Sequence, residues 1–168
     1  MREVDEKVAG LDRQIHRWHR SNELSRRLET IPGIGPITAS AIATTITDVS
    51  LFKSGRQLAA WLGLVSRQNS SGGKERLGRI SKQGDPYIRR LLIIGAHAVL
   101  RYSRKAKATS TQWADGMLAK KPYNVVAVAL ANKMARIAWA VMNNRKEIRA
   151  CCQVKNRRRL QIGEVLMV

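Results

Sequence analysis

The segment Leu28-Glu29-Thr30-Ile31-Pro32-Gly33-Ile34-Gly35-Pro36-Ile37-Thr38-Ala39-Ser40-Ala41 decides how the middle of this chain folds. Two glycines flank one apolar residue, and stretches of helical character lie on both sides. Glycine permits a positive φ, and Pro36 suits the first turn of a helix, where its missing N–H has no partner to lose. The segment predicts a helix-hairpin-helix element over residues 28–47.

A hairpin of this kind can bind a nucleic-acid phosphate. Its backbone N–H groups and the N-terminus of the second helix point at the phosphate without reading base sequence. Gly33, Ile34 and Gly35 are the candidate residues. The alternative is a tight turn that only packs two helices, because glycine turns have purely steric uses too.

Helices are expected on both sides of the hairpin. Hydrophobic residues make up 44% of the 168 residues but aromatic residues only 5%, so the core must consist mostly of Leu, Ile, Val and Ala, which suits packed helices. Ser54 and Asp85 are N-cap residues by type, and Gly63 is placed to end the helix that Ser54 begins. The expected fold is all-α, with an N-terminal helical arm, the helix-hairpin-helix, and a helical bundle with one long basic Gly/Ser loop.

The first thirty residues are the predicted arm. Val4, Val8, Leu11, Ile15 and Trp18 recur at a spacing of four and three, which places them along one face of a helix. Such a seam predicts pairing with another helix. We therefore expect the arm to dock on a partner or on a second copy of the chain, giving a homo-oligomer.

The charge of the chain points to a polyanionic partner. Lysine and arginine number 31 against 12 aspartate and glutamate, and the self-repulsion of this net charge of +19 must be offset from outside the chain. Residues 53–149 carry most of the excess, with twenty basic side chains against four acidic ones. No run approaches the roughly 18 apolar residues of a membrane-spanning helix and no signal segment opens the chain, so we expect no membrane contact and a cytoplasmic location.

Residues 64–84, LVSRQNSSGGKERLGRISKQG, lose the helical period and hold four of the twelve glycines. Hydroxyls, glycines and guanidinium groups are what a phosphodiester site requires, and a serine attacks phosphorus only with a base, a metal or a cationic pocket beside it. Ser70 and Ser71 are therefore candidate nucleophiles, and the alternative is a flexible linker. The candidate phosphate-binding residues in this loop and on the following helix are Arg67, Lys74, Arg76, Arg79, Lys82, Arg89 and Arg90.

The residues place no metal site within this chain. The five aspartates are scattered, so no pair is positioned to bridge two magnesium ions. His16 and His19 lie three residues apart on the arm without further ligands, and we expect both to be exposed to solvent. For His97, in an apolar stretch, a buried ring hydrogen-bonded to a neighbour is favoured over proton transfer.

Four blocks in a fixed order carry a resemblance to a known family. They are IPGIGPITA, FKSGRQLAAWLGLVSRQNSSGGKERLGRISKQGD, YIRRLLIIGA, and the helix ending near NKMARIAWAVMNN. With them, the stretch from Ile31 to about Arg149 resembles the C-terminal transposase domain of the IS116/IS110/IS902 insertion-sequence family, the RNA-guided serine recombinases. The resemblance covers about seven-tenths of the chain.

The resemblance implies that a serine in the glycine loop joins to DNA, and Ser71, directly before the glycines, fits the pattern best, with Ser70 as second choice. It implies DNA and a guide (bridge) RNA as partners. It also implies a missing N-terminal RNase-H-like domain with four acidic metal ligands, so Mg²⁺ is expected from that domain and no cofactor within this chain. The expected units are an arm over 1–30, a transposase C-terminal domain over 31–149 and a basic tail over 150–168.

Two functions of different class are compatible with these residues. In the first, the chain is a transposase (recombinase) fragment that cuts and rejoins DNA through a serine–DNA phosphodiester link, and Arg67, Arg76 and Arg79 neutralise the phosphate. In the second, it is an inactive truncated remnant that only binds nucleic acid non-specifically. A basic RNA-binding protein is a third hypothesis, since charge does not distinguish DNA from RNA.

Overall fold

The computed structural model describes residues 2–69, 77–103 and 112–144, so the predicted tail over 150–168 lies outside the described residues. The described residues form seven α-helices and one two-stranded antiparallel sheet. The all-α prediction is confirmed. It did not include the short two-stranded sheet, which lies within the basic loop. In chain order the elements are α1 (Arg2–Ser21), α2 (Glu23–Glu29), α3 (Pro36–Thr45), a 3-10 turn (Val49–Leu51), α4 (Gly55–Trp61), β1 (Ser66–Gln68), β2 (Leu77–Ile80), α5 (Pro86–Ser103), α6 (Gln112–Leu118) and α7 (Tyr123–Asn144).

The capping signals of the sequence mark real helix ends. The Ser54 hydroxyl accepts a hydrogen bond from the Gln57 amide at 3.4 Å and begins α4. Asp85 Oδ1 accepts hydrogen bonds from the first amides of α5, at 2.7 Å from Tyr87 N. Gly63 follows α4 with a φ of +71°, the left-handed conformation that glycine adopts without strain.

Helix α7 is the centre of the core. It packs against α4 and α5 on either side, and α2 and the 3-10 turn also contact it. Its buried residues, such as Met134 and Ala138, meet Leu58 of α4 and Leu92 of α5 in one cluster. The helix therefore contributes apolar side chains around most of its circumference, as its sequence predicts.

The same helix corrects one expectation from the sequence. The segment Tyr123–Asn143 is long and apolar enough to cross a membrane, although we expected no such run. In the structure 44% of its most apolar window is buried inside the protein, where it forms the core described above. Length and composition alone are weak grounds for a membrane helix, because the central helix of a bundle has the same character.

The arm is divided at Asn22, whose side-chain oxygen accepts a hydrogen bond from the Ser25 amide at 2.9 Å and caps α2. Helix α2 contributes the fully buried Leu28 to the main core. Along α1, the predicted apolar seam is largely uncovered, since Val4, Val8 and Leu11 are 63%, 52% and 59% exposed. The seam therefore stays available for a helix from elsewhere.

Candidate nucleic-acid interface

The basic loop predicted over residues 64–84 starts and ends where two backbone segments, residues 61–64 and 82–84, lie in contact. We call this contact the neck. Gly63 and Gly84 both have positive φ, +71° and +73°. A Cβ on Gly63 would collide with the backbone of Gln83, and one on Gly84 with the carbonyl of Trp61. The two ends of the loop therefore approach each other as closely as backbone allows, which only glycine permits at these positions.

Two side chains from the helical body hold the neck. Arg89 of α5 donates one Nη1 to the Leu62 carbonyl at 3.1 Å and to the Gln83 carbonyl at 2.9 Å. Asn132 of α7 donates to the Leu64 carbonyl at 3.2 Å. The neck is thus anchored to the two longest core helices, and a loop on a fixed base can carry functional groups.

Between β1 and β2 the register slips by one residue. Ladder pairing leaves one more residue on β2 than on β1, so Gly78 and Arg79 both lie opposite Arg67. The side chain of Asn69 fills the space above Gly78, where a Cβ would lie 2.8 Å from Nδ2. A bulge of this kind bends a strand and re-aims its side chains, and here it places two arginines at one cavity.

The cavity has a volume of about 350 Å³ and is the candidate phosphate site. Arg67 Nη2 donates a hydrogen bond to the Ser81 carbonyl at 3.1 Å, which holds the guanidinium at the cavity wall. Guanidinium groups bind phosphate oxygens with two parallel hydrogen bonds, so an arginine held in place favours an anion. The lining residues among those that the structure describes include three cations and no acidic side chain: Arg67, Asn69, Arg79, Ile80, Ser81 and Lys82.

Lys82 adopts a left-handed backbone conformation, with a φ of +56°. Its amide donates to the Gly63 carbonyl at 3.2 Å, so the neck holds this conformation. A side chain with a Cβ is disfavoured there, and such strained residues cluster at binding sites. The hydrogen bond to Gly63 therefore holds the backbone of Lys82 in a strained conformation, and in this conformation Lys82 lines the cavity.

In the hairpin that opened the sequence, the three candidate residues have different environments. Gly33 has a φ of +89° and is pressed on the core, where a Cβ would lie 2.8 Å from Met134 and from Val99. Ile34 is buried, with 3% of its surface exposed. Gly35 is exposed with open space around it, and α3 begins there with no side-chain cap on its first amides. Steric packing therefore explains Gly33, and Gly35 is the accessible residue of the three.

The structure brings together Arg67, Arg79 and Lys82 out of the residues predicted from the sequence. Arg89 is half-buried and bonded to the neck, whereas Arg90 is exposed on the outer side of α5. The remaining predicted site residues, namely Ser70, Ser71, Lys74 and Arg76, lie outside the described residues.

His19 is not exposed, which corrects the sequence-based expectation, while His16 is. Its ring is 4% exposed and lies between Glu29, 2.9 Å from Nε2, and Ser25, 2.7 Å from Nδ1. Because a carboxylate only accepts, Nε2 carries the proton toward Glu29. The serine–histidine–carboxylate order is that of a hydrolytic triad, but Ser25 is fully buried and no substrate reaches its hydroxyl.

This buried polar cluster is the feature that sequence reasoning missed. Ser25 Oγ also lies 3.4 Å from Ser40 Oγ of α3, so His19 joins α1 to α2 directly and to α3 through Ser25. The available signal was the spacing of Ser25 three residues before the apolar Leu28 of α2, and the position of Ser40 within the largely apolar α3. His97 differs from its expectation too: its ring is half-buried and stacks on Tyr123, with 5.3 Å between ring centroids, instead of being held by a hydrogen bond.

Metal ligands are not grouped in the part of the chain that the structure describes. No three His, Cys, Asp or Glu side chains lie close enough there to hold an ion. The buried His19 is already bonded on both ring nitrogens.

Comparison with known proteins identifies relatives. The chain is 51% identical over 140 residues to a probable family 20 transposase of Pseudomonas aeruginosa, a match that covers 83% of this chain and 41% of that protein. It is 43% identical over 136 residues to the transposase for insertion sequence element IS1328 of Yersinia enterocolitica, covering 81% of this chain and 41% of the relative. A pilin gene-inverting protein of Moraxella bovis is 30% identical over 155 residues, 87% of this chain and 46% of that protein.

This chain therefore spans about two fifths of the length of the curated transposases that it matches. The sequence profile of the transposase IS116/IS110/IS902 family matches residues 25–111, which include most of α2, the hairpin, the neck, the basic cavity and α5. Because that match covers half of the chain, the protein belongs to the IS116/IS110/IS902 transposase family.

Proposed function

We propose that this chain is the part of a transposase that holds a DNA phosphate at the basic cavity and attacks it with a serine. The observation that carries the proposal is that Arg67, Arg79 and Lys82 line one cavity at the base of the segment containing Ser70 and Ser71. Membership in a transposase family makes DNA the expected partner. A cationic pocket is also what a serine without a neighbouring base needs in order to attack phosphorus.

In the proposed step, Ser71 Oγ attacks the phosphorus of a DNA phosphodiester. A bond from Oγ to phosphorus forms while the bond from phosphorus to one deoxyribose oxygen breaks, and the serine proton ends on the released deoxyribose oxygen. The phosphodiester is thereby exchanged for another phosphodiester, so the step is reversible and a second DNA hydroxyl can rejoin the strand. Arg67 and Arg79 stabilise the charge on the non-bridging oxygens.

Anchoring of the neck supports this role. An arginine held within an ångström of its working position stabilises developing charge more than a mobile one, because no reorganisation is needed during the reaction. Arg67 is held by the Ser81 carbonyl, and the neck itself is held by Arg89. Gly35 at the exposed start of α3 is the proposed second contact to the DNA backbone.

Further partners belong to the same proposal. We expect a guide RNA beside the DNA, Mg²⁺ bound by residues outside the described part of the chain, and a cytoplasmic location. The exposed seam of α1, with Val4, Val8 and Leu11, supports self-association through the arm. Light scattering should give a dimer or larger species for the chain, and Val8→Lys with Leu11→Lys should reduce it to a monomer. A wild-type monomer at high concentration would contradict the pairing.

Covalent capture tests the reaction. The chain is mixed with DNA carrying the ends of its element, with Mg²⁺, alone and together with a full-length relative. A protein–DNA species that survives denaturation and is destroyed by protease is expected, and its mass identifies which protein is joined to DNA. Ser71→Ala should abolish the species of the 18.8 kDa chain and leave retention of DNA at low salt unchanged.

Ser66→Ala is the matched control, because Ser66 is an exposed serine of β1 outside the proposed role. An adduct of this chain that persists in Ser71→Ala but disappears in Ser70→Ala would move the nucleophile by one residue. An adduct unaffected by both substitutions would refute the mechanism. If the relative forms its own adduct while this chain binds DNA and never does, the chain is the non-catalytic remnant.

A further inference from the structure

Helix α5 presents a line of aromatic and basic side chains to solvent. Tyr87, Ile94 and Tyr102 are 55%, 53% and 74% exposed, and Arg90 and Arg101 are exposed beside them. The intervals of three, four, seven and eight residues place all five on one face of the helix. The opposite face, with Ile88, Leu92, Ala96 and Leu100, is fully buried. From Tyr87 to Tyr102, fifteen residues further along the helix, this outer face extends for about 22 Å.

The outer face is strongly basic. The eighteen residues of α5 contain no aspartate or glutamate. Asp85, just before the helix, accepts hydrogen bonds from the backbone amides of Tyr87 and Ile88 through its Oδ1. Within the described ranges neither Arg90 nor Arg101 makes an ion pair, and both side chains are exposed to solvent. With a net charge of +19 on the chain, the complementary partner is a polyanion.

Aromatic rings distinguish which polyanion fits. Duplex DNA presents only phosphates and groove edges, because its base faces are stacked inside the helix. An unpaired strand presents base faces as well, and these stack on exposed aromatic side chains next to arginines. Tyr87 and Tyr102 supply rings, Arg90 and Arg101 supply charge between them, and Ile94 supplies an apolar contact midway.

The position of the outer face relates it to the cavity. Tyr87 begins it five residues after Lys82, and Arg89 bonds the neck to the first turn of α5. The outer face therefore begins within five residues of the cavity along the chain. Cutting and rejoining DNA leaves strand ends unpaired, so the proposed function supplies an unpaired strand.

We propose that the outer face of α5 binds unpaired DNA, with bases stacked on Tyr87 and Tyr102 and phosphates near Arg90 and Arg101. The proposal rests on the proposed function for the identity of the strand, but it concerns a surface outside the cavity and outside the serine loop. It assigns to the chain a preference for single strands over duplex DNA, which the cavity alone does not provide.

Fluorescence anisotropy with three labelled probes of equal length tests the proposal: oligothymidylate, an abasic strand with the same phosphates, and a duplex. Tyr87→Ala with Tyr102→Ala should weaken binding of oligothymidylate by at least about tenfold. It should leave the abasic strand and the duplex within about twofold, because the lost contact is to base faces. Tyr87→Phe with Tyr102→Phe should bind as the wild type, since the ring is kept.

The salt dependence of binding affinity distinguishes the contribution of the tyrosine rings from that of the arginine charges. The tyrosine variant should keep the wild-type slope of log affinity against log salt, whereas Arg90→Ala with Arg101→Ala should flatten the single-strand slope by about 1.4, because each phosphate contact contributes about 0.7. Leu51→Ala is the control, because Leu51 is an exposed apolar residue outside α5, and its loss should change neither affinity nor salt slope.

Three results would overturn the proposal. The first is an equal loss on all three probes, which means phosphate contact alone. The second is a loss confined to oligouridylate, measured as an additional RNA probe of the same length, which assigns the face to RNA. The third is unchanged nucleic-acid binding together with loss of self-association, which assigns the face to a protein. Loss of single-strand preference with the serine adduct intact supports this proposal independently, and failure of the wild type to bind any probe removes both proposals.

Discussion

Gly33 of the hairpin and Gly95 of α5 meet backbone to backbone. A Cβ on Gly33 would lie 2.9 Å from the Gly95 carbonyl oxygen, and a Cβ on Gly95 would overlap the Gly33 carbonyl. The contact sets the distance between the turn that joins α2 to α3 and the core, so this turn cannot carry a side chain at Gly33 without lifting away from α5. The exposed Gly35 is thereby held at a fixed position at the start of α3.

Gly95→Ala should destabilise the protein by about 2 kcal/mol, although alanine favours helix by up to about 1 kcal/mol over glycine. Steric overlap with a backbone carbonyl decides the sign, because the hairpin must move as a whole. Gly10→Ala in α1 is the matched control: nothing lies within 4 Å of its Cβ position, so it should raise stability by up to about 1 kcal/mol. Urea unfolding of both variants measures the difference. Equal effects would mean that the Gly33–Gly95 contact is relaxed in solution.

Much of this architecture could be predicted from the sequence because its signals are local. Caps at Ser54 and Asp85 and the glycine end at Gly63 depend on a few neighbouring residues, and all three were predicted correctly. The purpose of Gly33 could not be predicted, because its neighbour Gly95 is 62 residues away and no local pattern pairs them.

The residues of the candidate site could also be predicted from the sequence, but their arrangement could not. Residue type alone singled out Arg67, Arg79 and Lys82, because clustered cations in a glycine-rich segment are a compositional signal. Composition could not predict the bulge that places Arg79 opposite Arg67, since a register slip depends on pairing between strands. The burial of His19 also depends on helices packed in three dimensions, and its charged, polar neighbours in sequence favoured the wrong answer.

Lys82→Gly and Lys82→Ala should separate binding from backbone strain. Both variants remove the positive charge from the cavity and should weaken DNA binding similarly, with a salt slope lower by about one phosphate contact. Only glycine relieves the left-handed φ of +56°, so Lys82→Gly should be more stable than Lys82→Ala by about 1 kcal/mol. Thermal unfolding and filter retention across a salt series measure the two effects. A glycine variant no more stable than the alanine variant would contradict the strain.

Arg27 should be important for stability although it lies on a short helix near the surface. Its Nη2 donates to the Val141 carbonyl at 2.6 Å, in the last turn of α7, where carbonyls have no partner within the helix. Arg27→Ala should cost about 1.5 to 3 kcal/mol, the usual value for a hydrogen bond that involves a charged group. The neighbouring Arg26 is exposed, and Arg26→Ala should stay within about 0.5 kcal/mol of the wild type. Similar losses in both variants would show that the Val141 contact is weak.

His19 should be the histidine on which the arm depends. Removing its ring by His19→Ala breaks the hydrogen bonds to Ser25 and Glu29 and leaves the buried Ser25 hydroxyl with only the long 3.4 Å contact to Ser40. An unsatisfied buried hydroxyl and a lost side chain together should cost about 2 to 3 kcal/mol in chemical unfolding. His16→Ala, one turn earlier on the exposed side of α1, should change stability by less than about 0.5 kcal/mol. Because His19 joins α1 to the hairpin helices, amide exchange in α1 should accelerate in His19→Ala alone, and equal exchange in the two variants would refute the joint.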